Sequence, residues 1–144
     1  MRILCIDVGD KNVGIAISDE KKLIAKGLGT LRVDENIFEK IKEIVKKYEV
    51  EKVVYGLPLK MDGSFSIQTE KTISFITNLK KELKDIEFIA WDERLTTSLA
   101  ERFLLQADIS RKKRKKLIDK LSAQIILQNF LDSQKIEIDE ELEW

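Results

Sequence analysis

The chain has 144 residues, the size of one domain with a real core, and its 26 Lys and Arg balance 26 Asp and Glu to a formal net charge of zero. No whole-protein field drawing in nucleic acid is expected from that balance. Histidine is absent, which excludes Ser-His-Asp and Cys-His mechanisms and any His-ligated zinc site.

Hydrophobic residues make up 43% of the chain and charged residues 36%, a Lys/Glu-rich surface of the kind found in heat-adapted proteins. The charge is uneven: "RKKRKK" at Arg111–Lys116 is a basic block, and "EIDEELEW" an acidic close. Cys5 is the single cysteine, so no intrachain disulfide forms, as suits a reducing cytosol. No signal peptide is visible and no apolar run reaches the roughly 18 residues of a membrane span. A cytoplasmic protein without a membrane partner is expected.

Ile3–Val8 is apolar on both faces, as in a central strand, and ends on Asp7-Val8. Gly9-Asp10-Lys11-Asn12 reads as a tight turn, Val13–Ser18 as a second strand, "SDEKK" as a second turn and Leu23–Leu31 as a third strand. Short turns between three strands mean an antiparallel meander. Asp34 is the expected cap of a helix whose stripe is Ile37, Phe38, Ile41, Ile44 and Val45. "KVVYG" is a buried strand and "LPLKMDGS" a loop with the only proline, Pro58. A second helix follows, with Ile73, Phe75, Ile76, Leu79 and Leu83 inward, then the strand "EFIAW", ended by "DER". Ser98 and Glu101 fit a capping box for a third helix, and Ser110 a cap for a fourth running to about Leu131. The order β-β-β-α-β-α-β-α-α predicts an α/β domain over 1–133, a mixed sheet with helices on both faces, followed by an acidic tail over 134–144.

Three stretches carry acids that the topology could bring together. Asp7 ends the first strand, and Asp92 and Glu93 follow the fifth. Ligands bind at the carboxyl ends of parallel strands. Asp92 and Glu93 point to opposite faces in extended chain, so only one of them is expected to join Asp7. Asp119 lies in "KLIDKLSAQIILQNFL", where Ile118, Leu121, Ile125 and Phe130 are the expected apolar contacts and the small Ser122 and Ala123 share its face. Converging carboxylates repel, and Mg2+ or Mn2+ is the usual neutralising partner. Such ions support phosphodiester cleavage without histidine. Simpler readings compete: Asp7 bonded to its turn, Glu93 paired with Arg94 at the surface, Asp119 solvated.

"DVGDKNVGIAISD", "YGLPLKMDGS", "DERLTT" and "DKLSAQIILQNFL" resemble, in order and spacing, the YqgF family. These are RuvX-like proteins of the RNase H-like superfamily, described as Holliday junction resolvases and as nucleases maturing the 5′ end of pre-16S ribosomal RNA. The resemblance covers nearly the whole chain except the acidic tail. It implies a five-stranded mixed sheet with the first three strands antiparallel. It also implies an acidic Mg2+ or Mn2+ site of Asp7, Glu93 and Asp119, with Asp92 a lesser candidate. Two positions depart from the family's pattern. Asn12 stands where the family has arginine, leaving Lys11 as a substitute positive contact, and Ser122 replaces the first alanine of Asp-x-x-Ala-Ala.

Nucleic-acid contacts are expected from Lys60 and Ser64 in the proline loop and from Arg94 as a bidentate phosphate clamp. Thr96 and Thr97 are as readily caps of the next helix as phosphate ligands. Arg111, Lys112, Lys113, Arg114, Lys115 and Lys116 begin a helix, where the macrodipole disfavours cations, which points to a phosphate backbone as their use. Trp91 is expected in the core and Cys5 as an inert buried thiol. The leading expectation is a metal-dependent nuclease on structured RNA or branched DNA, monomeric for RNA processing or a weak homodimer for junction cleavage. An actin-like nucleotide-binding domain and a non-catalytic RNA-binding factor are the alternatives.

Overall fold

The computed structural model describes residues 1–94, 110, 113 and 121–134. The strands are β1 (Arg2–Val8), β2 (Asn12–Ser18), β3 (Ala25–Arg32), β4 (Val50–Leu57) and β5 (Glu87–Asp92). Helix α1 (Ile37–Lys47) joins β3 to β4, α2 (Ile67–Glu82) joins β4 to β5, and residues 121–134 are helical. The sheet runs β3-β2-β1-β4-β5. β1–β2 and β2–β3 pair antiparallel, β1–β4 and β4–β5 parallel. This is the expected five-stranded mixed sheet, with the doubly apolar β1 at its centre.

Alternate residues of β1 serve two cores, as the period of two requires. Leu4 and Ile6 are fully buried on the face covered by α1 and α2, with Ile37, Ile41 and Leu79. Ile3 and Cys5 face the other layer, where Ala123, Ile126, Leu127, Phe130 and Leu131 of the 121–134 helix pack. Helices therefore lie on both faces. The inward stripe of that helix is this set at helical spacing, with Leu121 and Ile125 only half-buried. Gln128 pins the helix to the start of β3: its Oε1 accepts the Ala25 N–H at 2.8 Å and its Nε2 donates to the Leu23 carbonyl at 3.0 Å.

Two boundaries differ from expectation, each for a local hydrogen-bonding reason. The third strand starts at Ala25, because the Asp19 carboxylate accepts the N–H groups of Leu23 at 2.7 Å and Ile24 at 3.0 Å and holds them in the turn. Asp34 is not the N-cap of α1. Its carboxylate accepts the Asn36 N–H at 2.9 Å in a local turn, and Asn36 takes the cap position without a side-chain bond. Helix α2 opens on a capping box between Ser66 and Thr69, where Thr stands in the usual Glu/Gln place. Ser110 does accept an N–H, from Lys113 at 3.4 Å. The capping box read at Ser98 and Glu101 lies outside the described residues.

Candidate active site

The carboxyl ends of the parallel strands β1, β4 and β5 form one edge of the sheet. Asp7 shares the face of Ile3 and Cys5, and so points toward the 121–134 helix. On β5, Ile89 and Trp91 pack on that same face. Glu93, two residues on, follows their parity, whereas Asp92 follows the other. Glu93, not Asp92, reaches Asp7, and the two side chains are hydrogen-bonded.

β4 lies between them, and its residue at this level is Gly56: Ile6 pairs with Tyr55 and Gly56 with Trp91. A Cβ on Gly56 would lie 2.1 Å from Glu93 Oε1 and 2.8 Å from Ile126 Cδ1. On the other side of Asp7 its antiparallel partner is Gly14, whose added Cβ would touch Asp7 Cβ and Ala123 Cβ at 3.5 Å each. Asp7 thus stands between two bare strands, and the Gly56 gap is what lets Glu93 lean across β4. The Ser122 hydroxyl donates to Asp7 Oδ2 from the helix above.

Burial, the hydrogen bond to Asp7 and the charges of Asp7 and Asp92 push the Glu93 carboxyl up to about 9. Burial raises the Cys5 thiol well above its usual range, and the charges of Asp7 and Glu93 raise it further. Cys5 is a buried neutral group beneath the acids, as expected. A proton held by Glu93 at neutral pH marks a place where positive charge is favoured. The donors are carboxylate oxygens, and a hard divalent cation fits them. Among the described residues no third acid joins the pair. Asp119 lies outside them.

Asp92 has a different partner. The Arg94 guanidinium forks onto it, Nε at 2.9 Å and Nη2 at 2.5 Å from Oδ2, and its backbone N–H adds a bond of 3.0 Å. Arg94 lowers the Asp92 carboxyl below its usual range. Arg94 Nη1 also donates to the Met61 carbonyl at 3.3 Å, tying the proline loop to this edge. In that loop the Ser64 hydroxyl donates to Asp62 at 2.6 Å. Lys60, Lys11 and Lys113 are exposed, and Lys60 shares the loop with Ser64. Arg111, Lys112, Arg114, Lys115 and Lys116 lie outside the described residues, as do Thr96 and Thr97. Trp91 packs edge-on against Phe130, ring centroids 6.1 Å apart, in the core role expected of it.

The sequence reading missed Gly56 and the Ser122 hydroxyl bond. Gly56 carries a signal only once its register between β1 and β5 is known. The family model described as "RuvX: Holliday junction resolvase" matches residues 1–133. The chain belongs to the RuvX family. A Caldanaerobacter subterraneus subsp. tengcongensis protein named "Putative pre-16S rRNA nuclease" is 56% identical, covering 94% of this chain and 99% of its own. A Bacillus thuringiensis protein of the same name is 50% identical, covering 93% and 100%. Two solved structures share the RuvX chain's fold. Thermus thermophilus RuvC has a TM-score of 0.55 at 13% identity, over 94% of this chain and 96% of its own. The fowlpox virus Holliday junction resolvase has a TM-score of 0.52 at 18% identity, over 92% and 99%. No helix among the described residues is long and apolar enough to cross a membrane.

Proposed function

We propose that this RuvX-family chain is a divalent-metal-dependent endonuclease that matures the 5′ end of pre-16S rRNA in the cytoplasm. The observation that carries the reading is the Asp7–Glu93 pair, hydrogen-bonded across Gly56 at the carboxyl edge of the sheet. Family membership and relatives named for pre-16S rRNA agree with it.

Asp7 and Glu93 would hold Mg2+ or Mn2+, with Asp119 as the third ligand that the family resemblance implies. When bound, the ion supplies Lewis-acid stabilisation of charge on the phosphate and lowers the pKa of the attacking water. The chain's own residues do the rest. Ser122 fixes the rotamer of Asp7 by its hydroxyl bond. Glu93, which keeps a proton in the metal-free fold, would hold such an ion as the carboxylate. Lys11, Lys60 and the basic block at 111–116 bind the phosphate backbone. Arg94 divides its donors between Asp92 and the loop, which makes it first a holder of the site's wall.

Cleavage of branched DNA by a weak homodimer is the second reading, favoured by the description of the family. Full-length protein is incubated with Mg2+ or Mn2+ and three substrates: a 16S precursor carrying its 5′ leader, an unrelated single-stranded RNA and a four-way DNA junction. Metal-dependent cutting of the precursor supports the first reading, cutting of the junction alone the second. No cutting of any of them overturns both.

A further inference from the structure

The loop after β4 displays three large apolar side chains to solvent: Met61 is 85% exposed, Phe65 57% and Ile67 76%. The loop is not loose. The Lys60 N–H donates to the Ser64 carbonyl at 3.0 Å, and the Gly63 N–H to the Lys60 carbonyl at 2.8 Å. The Asp62 carboxylate accepts the Ser64 N–H at 2.9 Å, and Gly63 takes the φ of 86° that favours glycine. Leu59 and Phe65 close the hairpin as a bridge, and the Thr69 hydroxyl donates to the Pro58 carbonyl. The Arg94 bond to Met61 then fastens the tip to the residue that follows Glu93. Burying these side chains would be favourable, yet the scaffold holds them out.

We infer that Phe65, in the loop that also exposes Met61 and precedes the exposed Ile67, is a stacking platform for an unpaired nucleobase of the substrate strand. The inference rests on the nuclease reading above and names the substrate class within it: a strand with an unstacked base, rather than continuous duplex. Three side chains from one hairpin and a helix start fall far short of the roughly 800 Å² that each partner gives a stable protein interface. A ring on a rigid loop loses little freedom on stacking, and the exposed Lys60 in the same turn can meet the adjoining phosphate.

The test is binding of a labelled single-stranded RNA and a blunt duplex of equal length by the full chain, in EDTA so that no cleavage intervenes. Phe65→Ala is expected to weaken single-strand binding about tenfold and leave duplex binding unchanged. Phe65→Trp is expected to keep the affinity, with added tryptophan emission that the strand quenches. Equal affinity of Phe65→Ala and wild type for the single strand overturns the platform alone, since metal-dependent cleavage by the wild type is scored separately. Failure of the wild type to bind the single strand at all overturns the platform as well, while the nuclease reading stands or falls on the separate cleavage assay.

Discussion

Gly56 stands directly under the Glu93 carboxylate: a methyl group in place of its hydrogen would sit 2.1 Å from Oε1. The neighbour that must move is the acid bonded to Asp7. Gly56→Ala is therefore expected to separate the two acids and lower cleavage at least about tenfold, at a stability cost of about 1–3 kcal/mol from overpacking against Ile126. Thermal melting beside the cleavage rate checks this. A variant that cuts at the wild-type rate would show that the pair does not need the gap.

Glu93 makes stability depend on pH with a definite sign. Its carboxyl is held up to about 9 in the fold against an ordinary value of 4.5. The folded protein keeps a proton that the unfolded chain releases, so this contribution is complete below about 4.5 and is lost as pH rises through about 9. Metal-free wild type should lose roughly a few kcal/mol across that window relative to Glu93→Gln. Melting temperature against pH in EDTA reads the difference. Parallel curves for the two proteins would contradict the assignment.

Ser122 donates to Asp7 from a position 115 residues away. Removing that hydroxyl leaves the helix packing through Ala123 and Ile126 intact. Ser122→Ala is expected to weaken Mn2+ affinity about tenfold with a near-wild-type melting temperature. Titration calorimetry measures it, and Ser122→Thr should restore part of the loss.

Arg94 links the strand-end acid to the loop, forking onto Asp92 and reaching the Met61 carbonyl. In Arg94→Ala the amide protons of Lys60 and Gly63 should exchange faster, while those of β1 and β4 keep their protection. Hydrogen exchange resolves the two sets. Unchanged protection at Lys60 and Gly63 would mean that the turn's own bonds suffice.

The order of elements along the chain was legible because the meander and the crossovers each leave a simple signal: short turns between the first three runs, then apolar stripes of helical period. Boundaries slipped where an Asp side chain captured neighbouring amides, as Asp19 does with Leu23 and Ile24 and Asp34 with Asn36. The alternation of side chains along β5 already limited the meeting with Asp7 to one of Asp92 and Glu93. The family resemblance already favoured Glu93 over Asp92, and the face on which Ile89 and Trp91 pack supplies the physical reason. Gly56 and Ser122 were illegible as site residues, because their roles exist only after β4 lies between β1 and β5 and the helix lies above them. The Asp92–Arg94 fork was not read from the sequence, which offered Arg94 a phosphate or Glu93 as its partner.

The most direct test of the central claim is cleavage of the 16S precursor by Asp7→Asn in Mn2+. Asparagine keeps the shape of the side chain, so folding and RNA binding should stay at wild-type levels. The account predicts that cleavage then falls to background, because the pair can no longer hold the cation. Cleavage by folded Asp7→Asn at the wild-type rate would contradict it.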